Sequence, residues 1–269
     1  MQNSNISQLT SNRIPVETIK NTISKFTPYD TDKKKIRVGK INDGGYVLLD
    51  MFNTNGDGIV YSFGVGSKHD FELDMASRGY TSYMYDHTVN GLKIPKNENL
   101  KFKKIGIARK DTKDMRTIET LLKENGHEDR DDIILQCDIE GSEWEIFNGI
   151  NQDALKCFSQ IVIELHWIVD SINGVSTLEG GSLIDTPFKN IEKTAEALSE
   201  NFTAYHIHGN NYRPALEIDG VVVPSVIEVS FVRNDLVNFT KGTTHYPTSL
   251  DSPNKKGVPD FELGTFSWS

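Results

Sequence analysis

The chain has 269 residues, 37% of them hydrophobic and 25% charged, and 29 Lys and Arg stand against 38 Asp and Glu for a net charge of -9. That length suits one sizeable core with a small appended element, and the composition sets aside fibrous and disordered classes. The acidic balance argues against nonspecific nucleic-acid binding, which rests on cationic neutralisation of phosphates, and no apolar run approaches the length of a membrane span.

Residues 1–35 are polar and predict a helical and irregular extension, with helical spacing in PVETIKNTISKF (15–26). The start lacks the basic and hydrophobic regions of a signal peptide. Cys137 and Cys157 sit in apolar runs without a C-x-x-C pair, so buried free thiols and a cytoplasmic setting are expected. The basic run DKKKIRVGK (32–40) suits a phosphorylated substrate as readily as solvent. IRVGKINDGGYVLLD (36–50) reads as an extended pair broken at NDGG, since glycine takes positive φ cheaply.

Strands and helices then alternate. GIVYSFG, TSYMYDH, LKFKKIGIA, DIILQCDIEG, FSQIVIELHWI, TAYHIHGNN and SVIEVSFVRND read as strands; KHDFELDMASRG, MRTIETLLKENG, EWEIFNGI and PFKNIEKTAEALSENF read as helices. Alternation of this kind predicts a largely parallel sheet with helices on both faces, over residues 36–240. The polar segment 170–184 is expected to be a loop able to cover a site, and the tail 241–269 either wraps the domain or stays mobile.

In an open parallel sheet, ligands gather beyond the C-terminal strand ends. The first such end carries Gly64 and Gly66, and the second, twenty residues after Gly66, carries Asp86, placed to accept hydrogen bonds from a ribose diol. His87 follows and is a candidate cap on the same pocket. The pair fits a dinucleotide or an adenosyl sulfonium. GVGSKHDFE lacks the third glycine of a dinucleotide loop, and its acids Asp70 and Glu72 disfavour pyrophosphate while suiting a cationic methionine moiety. S-adenosylmethionine is therefore the expected cofactor.

Later strand ends deliver Asp138, then Glu164 and His166, then His206 and His208. Asp138, His166 and His208, from three strands at one edge, suggest a facial set for Mn²⁺, Mg²⁺ or Fe²⁺ that would orient an acceptor diol. The alternatives are a general base at His166 or His208, and purely hydrogen-bonding roles. Trp144 and Trp167 near this edge suit core packing or a ring platform. Arg109 and Arg213 are solvated charges or phosphate ligands.

The stretches RVGKINDGGYVLLD (37–50), YSFGVGSKHDFELDMASRG (61–79), YDHT (85–88), LQCDIEGSEWEIF (135–147), IVIELHW (161–167), HIHGNN (206–211) and IEVSFV (227–232) resemble FkbM-type S-adenosylmethionine-dependent O-methyltransferases and related methyltransferase-like proteins. The resemblance implies a Rossmann-like class I fold with a seven-stranded sheet. It also implies methyl transfer to oxygen, in a group that often modifies sugars and cell-surface glycans. It places Gly64 and Gly66 in the cofactor loop, Asp86 on the ribose, Gly45 within a pocket wall formed by DGGY (43–46), and Asp138 and Glu140 close to the reacting centre, with Asp138 also counted among the cofactor-binding residues. A sugar or nucleotide-activated sugar for capsule or surface-glycan synthesis would then be the acceptor. A non-sugar O- or N-methylation, a nucleotide-binding oxidoreductase and a noncatalytic interaction domain are the competing readings. A homo-oligomer is compatible with all of them.

Overall fold

The computed structural model describes residues 6–8, 14–94, 96–179, 182–184 and 186–268. Parts of the polar extension (1–5 and 9–13) and Gly180 and Gly181 of the 170–184 segment lie outside the described residues.

Seven strands form the central sheet: β1 (Ile59–Phe63), β2 (Thr81–Tyr85), β3 (Leu100–Lys103), β4 (Ile133–Cys137), β5 (Phe158–Leu165), β6 (Phe202–Gly209) and β7 (Ile227–Arg233). Their spatial order is β6-β7-β5-β4-β1-β2-β3. All neighbours are parallel except β7, which runs antiparallel to both β5 and β6. The chain reverses direction of travel across the sheet between β1 and β4, the topological switch point at which a crevice opens beyond the strand ends. β1 and β4 are buried at every residue, as parallel strands covered on both faces must be.

Seven helices, α1 (Val16–Ile23), α2 (Asp70–Ser77), α3 (Ile118–Asn125), α4 (Glu143–Phe147), α5 (Gln152–Leu155), α6 (Ile168–Asn173) and α7 (Phe188–Ser199), flank the sheet. α3 starts where Thr117 Oγ accepts from the Thr120 amide and stops at Gly126, whose φ of 71° closes the helix. α1 and the helical turn after it place Phe26 between Trp144 and Phe231, at ring separations of 6.3 and 6.2 Å. Burying that ring contributes roughly 2–3 kcal/mol, which docks the extension onto the core. The segment predicted as a covering loop is helical at its start, in α6, where Gly174 at φ 64° ends it. The strand predicted over LKFKKIGIA is two pieces, β3 and the short Gly106–Ile107.

On the face that α2 covers, Lys35–Gly39 and Gly45–Leu49 pair as an antiparallel hairpin. Side chains rather than a backbone ladder fasten it to the sheet. Gln160 accepts from the Leu49 amide at 2.8 Å and donates to its carbonyl at 3.2 Å, while Ser230 and Tyr205 donate to the Val47 carbonyl. The tail also packs here: Arg37 donates to Leu250 O, Asn42 to Pro253 O, and Tyr246 pairs with Gly264.

Candidate active site

A cavity of about 460 Å³ opens beyond the ends of β1, β2 and β4. Gly64, Gly66, Asp86, His87, Asp138 and Glu140 all line it. Gly64 has φ 78°, and a Cβ there would lie 1.7 Å from the Asp138 carbonyl oxygen, so only glycine lets the β1 loop close against β4. Gly66 at φ 52° has open space where a Cβ would stand, on the cavity side.

Asp86 organises the rim. Its Oδ2 accepts from the Gly66 amide at 2.9 Å, and its Oδ1 accepts from the Thr88 amide and hydroxyl at 2.7 and 2.6 Å. Burial alone would raise its pKa, but the hydrogen bonds from Thr88 and Gly66 outweigh it and hold the carboxylate below the usual range. An ionised Asp86 keeps a lone pair on Oδ2 for a hydroxyl of the ligand. Gly106, Ile107 and Met115 extend the cavity beyond β2 and β3. A Cβ on Gly106 would press on the His87 ring and on the end of the Met115 side chain, which would have to shift. The cradle of backbone and carboxylate fits the nucleoside part of S-adenosylmethionine.

Gly45, expected in the pocket wall, does not line the cavity; its neighbours Asp43, Gly44 and Tyr46 do. A Cβ on Gly45 would stand 2.0 Å from the Lys40 carbonyl, so that glycine serves the hairpin instead. Lys68 from the glycine loop pairs with Asp43 across the mouth.

Beyond β4 the chain folds back sharply, with Glu140 at φ 56° and Gly141 at φ 105°. Glu143, fully buried, holds this turn by accepting from the Ile139 and Gly141 amides, both at 2.9 Å. Its Oε1 also lies 3.0 Å from His166 Nδ1. A carboxylate can only accept, so Nδ1 carries the proton and Nε2 is the nitrogen turned towards Asp138 and Glu140, at 3.7 and 3.5 Å. Trp144 donates its indole N–H to the His166 carbonyl, and Trp167 reaches the Glu140 carbonyl. Burial would lower the His166 pKa, but Glu143, Glu164 and Asp138 outweigh it and hold it well above the ordinary imidazole value. Burial and then the Glu164 charge push Asp138 well up, against the opposing pull of His166.

One ligand atom each from Asp138, Glu140 and His166 lies within 4.8 Å of the others. Asp138 Oδ1 is buried without a hydrogen-bond partner among the described residues. An oxygen, oxygen and imidazole set with the far imidazole nitrogen on a carboxylate fits a divalent cation.

His208, expected as the third metal ligand, stands elsewhere. Its Nδ1 lies 3.3 Å from Glu228 and its Nε2 lies 3.2 Å from Asp260 of the tail. The expected Asp138–His166–His208 set therefore gives way to Asp138–Glu140–His166, because the tail supplies the partner that occupies His208. His206 is likewise held, 2.8 Å from Asp251. Sequence reasoning missed Thr88, Gly106, Ile107 and Met115 at the cavity and Glu143 as the turn's clamp. Only Thr88, two residues after Asp86 in YDHT, carried a local signal.

The sheet order, the glycine loop tied to Asp86 and the cavity beside β4 define an enzyme of the methyltransferase-like Rossmann class. A family model described as "Methyltransferase domain" matches residues 12–207, more than half of the chain, and the chain belongs to that family. It is an S-adenosylmethionine-dependent methyltransferase, and the oxidoreductase and noncatalytic readings give way. The match is to this general domain family rather than to the FkbM-type group. No curated protein matches the chain. Among solved structures, a fibrillarin pre-rRNA processing protein from Methanococcus jannaschii is similar at TM-score 0.37 and 12% identity, over 75% of this chain and 83% of that one. A protein provisionally described as a hemolysin from Streptococcus thermophilus is similar at TM-score 0.36 and 14% identity, over 85% of each chain. One provisionally described as an S-adenosylmethionine-dependent methyltransferase from Listeria monocytogenes reaches TM-score 0.37 and 9% identity, over 68% of this chain and 94% of that one. Overlap at that level carries no functional argument.

Proposed function

We propose that the chain methylates a hydroxyl of a sugar, as its FkbM-type motifs suggest, with Asp138, Glu140 and His166 gathering the acceptor. The observation that carries this reading is the grouping of those three side chains where β4 and β5 end, two of them lining the cofactor cavity. A polar, carboxylate-rich wall suits a polyol: it accepts several hydrogen bonds from vicinal hydroxyls. A nucleotide-activated sugar met in the cytoplasm is the acceptor class this reading favours.

S-adenosylmethionine supplies a methyl group on a positively charged sulfur. Gly66 and Asp86 seat its nucleoside, and Asp138 and Glu140 hold an acceptor hydroxyl towards the methyl carbon. Asp138 would take the proton of the acceptor hydroxyl as that oxygen receives the methyl group the bound cofactor would supply. His166, oriented by Glu143, sets the position of both acids. A divalent cation held by Asp138, Glu140 and His166 would lower the pKa of a bound hydroxyl.

The test is a screen of nucleotide sugars, free sugars and non-sugar phenols and amines with labelled cofactor, read by product mass and NMR, with and without Mn²⁺. Methylation of a sugar oxygen supports the reading, and exclusive turnover of an amine or a phenol refutes it. A Mn²⁺ binding signal lost in Asp138→Ala and His166→Ala but kept in His208→Ala would locate the cation.

A further inference from the structure

At and beside the cavity wall stand buried polar groups that the reaction described above leaves unused. Glu72, in the first turn of α2, is 3% exposed yet lines the cavity. Ser62 on β1 and Gln136 on β4 are direct partners in register, and they are 0% and 4% exposed. Among the described residues Ser62 Oγ and Gln136 Oε1 have no hydrogen-bond partner. The Gln136 amide nitrogen is committed to Tyr46, at 3.2 Å. Ser62 lies close enough to favour the charged form of Glu72, without an aligned hydrogen bond.

An unfilled amide oxygen and an unfilled hydroxyl thus stand close to a buried carboxylate, and acceptors left as the first two are cost free energy until a donor meets them. The lysines nearby in sequence are spoken for: Lys40 pairs with Asp70, and Lys68 with Asp43. Position narrows the donor. Asp86, His87, Ile107 and Met115 mark the nucleoside end, beyond β2 and β3, whereas β1 and β4 carry Ser62 and Gln136 on the other side of Gly64. Tyr46 and Phe71 pack edge to face beside it, at 5.6 Å.

We propose that Glu72, Ser62 and Gln136 receive the ammonium group at the amino-acid end of the cofactor, with Glu72 supplying the opposite charge. This rests on the S-adenosylmethionine assignment. An ammonium offers three donors and no acceptor, which suits a carboxylate beside two oxygens, of Ser62 and Gln136, that are unfilled among the described residues. Burial pushes the Glu72 carboxyl up to about 7, and a cation seated beside it favours the ionised form. Glu72 is a positioning residue here: it fixes where the sulfonium sits relative to Asp138.

The experiment is calorimetric titration of the full chain with S-adenosylhomocysteine and with its analogue in which hydrogen replaces the α-amino group. The wild type should prefer S-adenosylhomocysteine by about 10- to 100-fold, and Glu72→Gln should remove that preference while leaving affinity for the analogue unchanged. Undiminished preference in Glu72→Gln, or parallel loss of both ligands in a folded variant, overturns the proposal. Should Glu72→Gln fail to fold, the exchange of Ser62→Glu with Glu72→Ser returns a carboxylate to the same group of side chains at the same total volume. Recovered preference there supports the assignment, and its loss overturns it. Equal affinity of the wild type for the two ligands overturns the proposal whatever the variants do. Binding of neither ligand removes the cofactor assignment itself.

Discussion

Two histidine–carboxylate centres stand at the same edge of the sheet, and they have opposite fates. At His166 one ring nitrogen is fixed by Glu143, and the other meets Asp138 and Glu140, which face the cavity. At His208 Nδ1 lies against Glu228 and Nε2 stands 3.2 Å from Asp260 without an aligned hydrogen bond, and Asn254 fills the second Glu228 oxygen at 2.7 Å. His206 and Asp251 complete that second centre beneath the tail. Residue types are the same in both. The difference lies in whether the charges open onto a space that a substrate can enter, and it separates a centre for chemistry from a fastening.

The strongest way to break this comparison is to exchange the two losses. Asp138→Asn and His166→Gln should lower turnover by about 100- to 10,000-fold while S-adenosylhomocysteine affinity stays near wild type. Release of S-adenosylhomocysteine with the acceptor found by the screen measures the first, and calorimetry the second. His208→Gln should cost about 3 kcal/mol in denaturant melts, because it strands two buried carboxylates, and leave turnover per folded molecule unchanged. Comparable turnover losses at both histidines would erase the distinction.

A pH series sharpens it further. Burial would lower the His208 pKa, but Asp260 and Glu228 outweigh it and hold it at about 10, above the ordinary 6.5. Its contribution to stability is therefore complete below pH 6.5 and is lost as pH rises towards 10. Burial would raise Asp251, but His206 outweighs it and holds it at about 2, below the ordinary 3.8. That contribution is present above pH 3.8 and is lost as pH falls towards 2. Proteolysis of the tail should be slowest between these limits. The alkaline limb should vanish in His208→Gln, and the acid limb in Asp251→Asn. The smallest effect belongs to Lys68→Ala at the exposed mouth, about 0.5 kcal/mol or less in stability.

Much of this was legible in the sequence. Buried parallel strands announce themselves as short β-branched runs, and the twenty-residue step from Gly66 to Asp86 follows from one turn, one helix and one strand in series. The hairpin was marked by NDGG, although the wrong glycine of the pair was assigned to the cavity: Gly44 lines it, while Gly45 is pinned by the Lys40 carbonyl. What stayed hidden depends on partners distant in the chain. Nothing around His208 tells that Asp260 returns to meet it, or around Glu72 that Ser62 lies near it and that Gln136 lines the same cavity. Glu143 was visible as an acid after a strand. Its work as a clamp requires the positive φ of Glu140 and Gly141, which no spacing rule reports.

The hairpin over the sheet is a cantilever. Its root is set in the interior through Gln160, Tyr205 and Ser230, while its tip carries Asp43 and Gly44 at the mouth of the cavity. The tip is restrained by Lys68 on one side and, through Asn42, by Ser252 and Pro253 of the tail on the other. Load on the tail is thus carried to the lip of the cofactor cavity without passing through the sheet. Conditions that slacken the His206 and His208 fastenings are expected to quicken cofactor exchange.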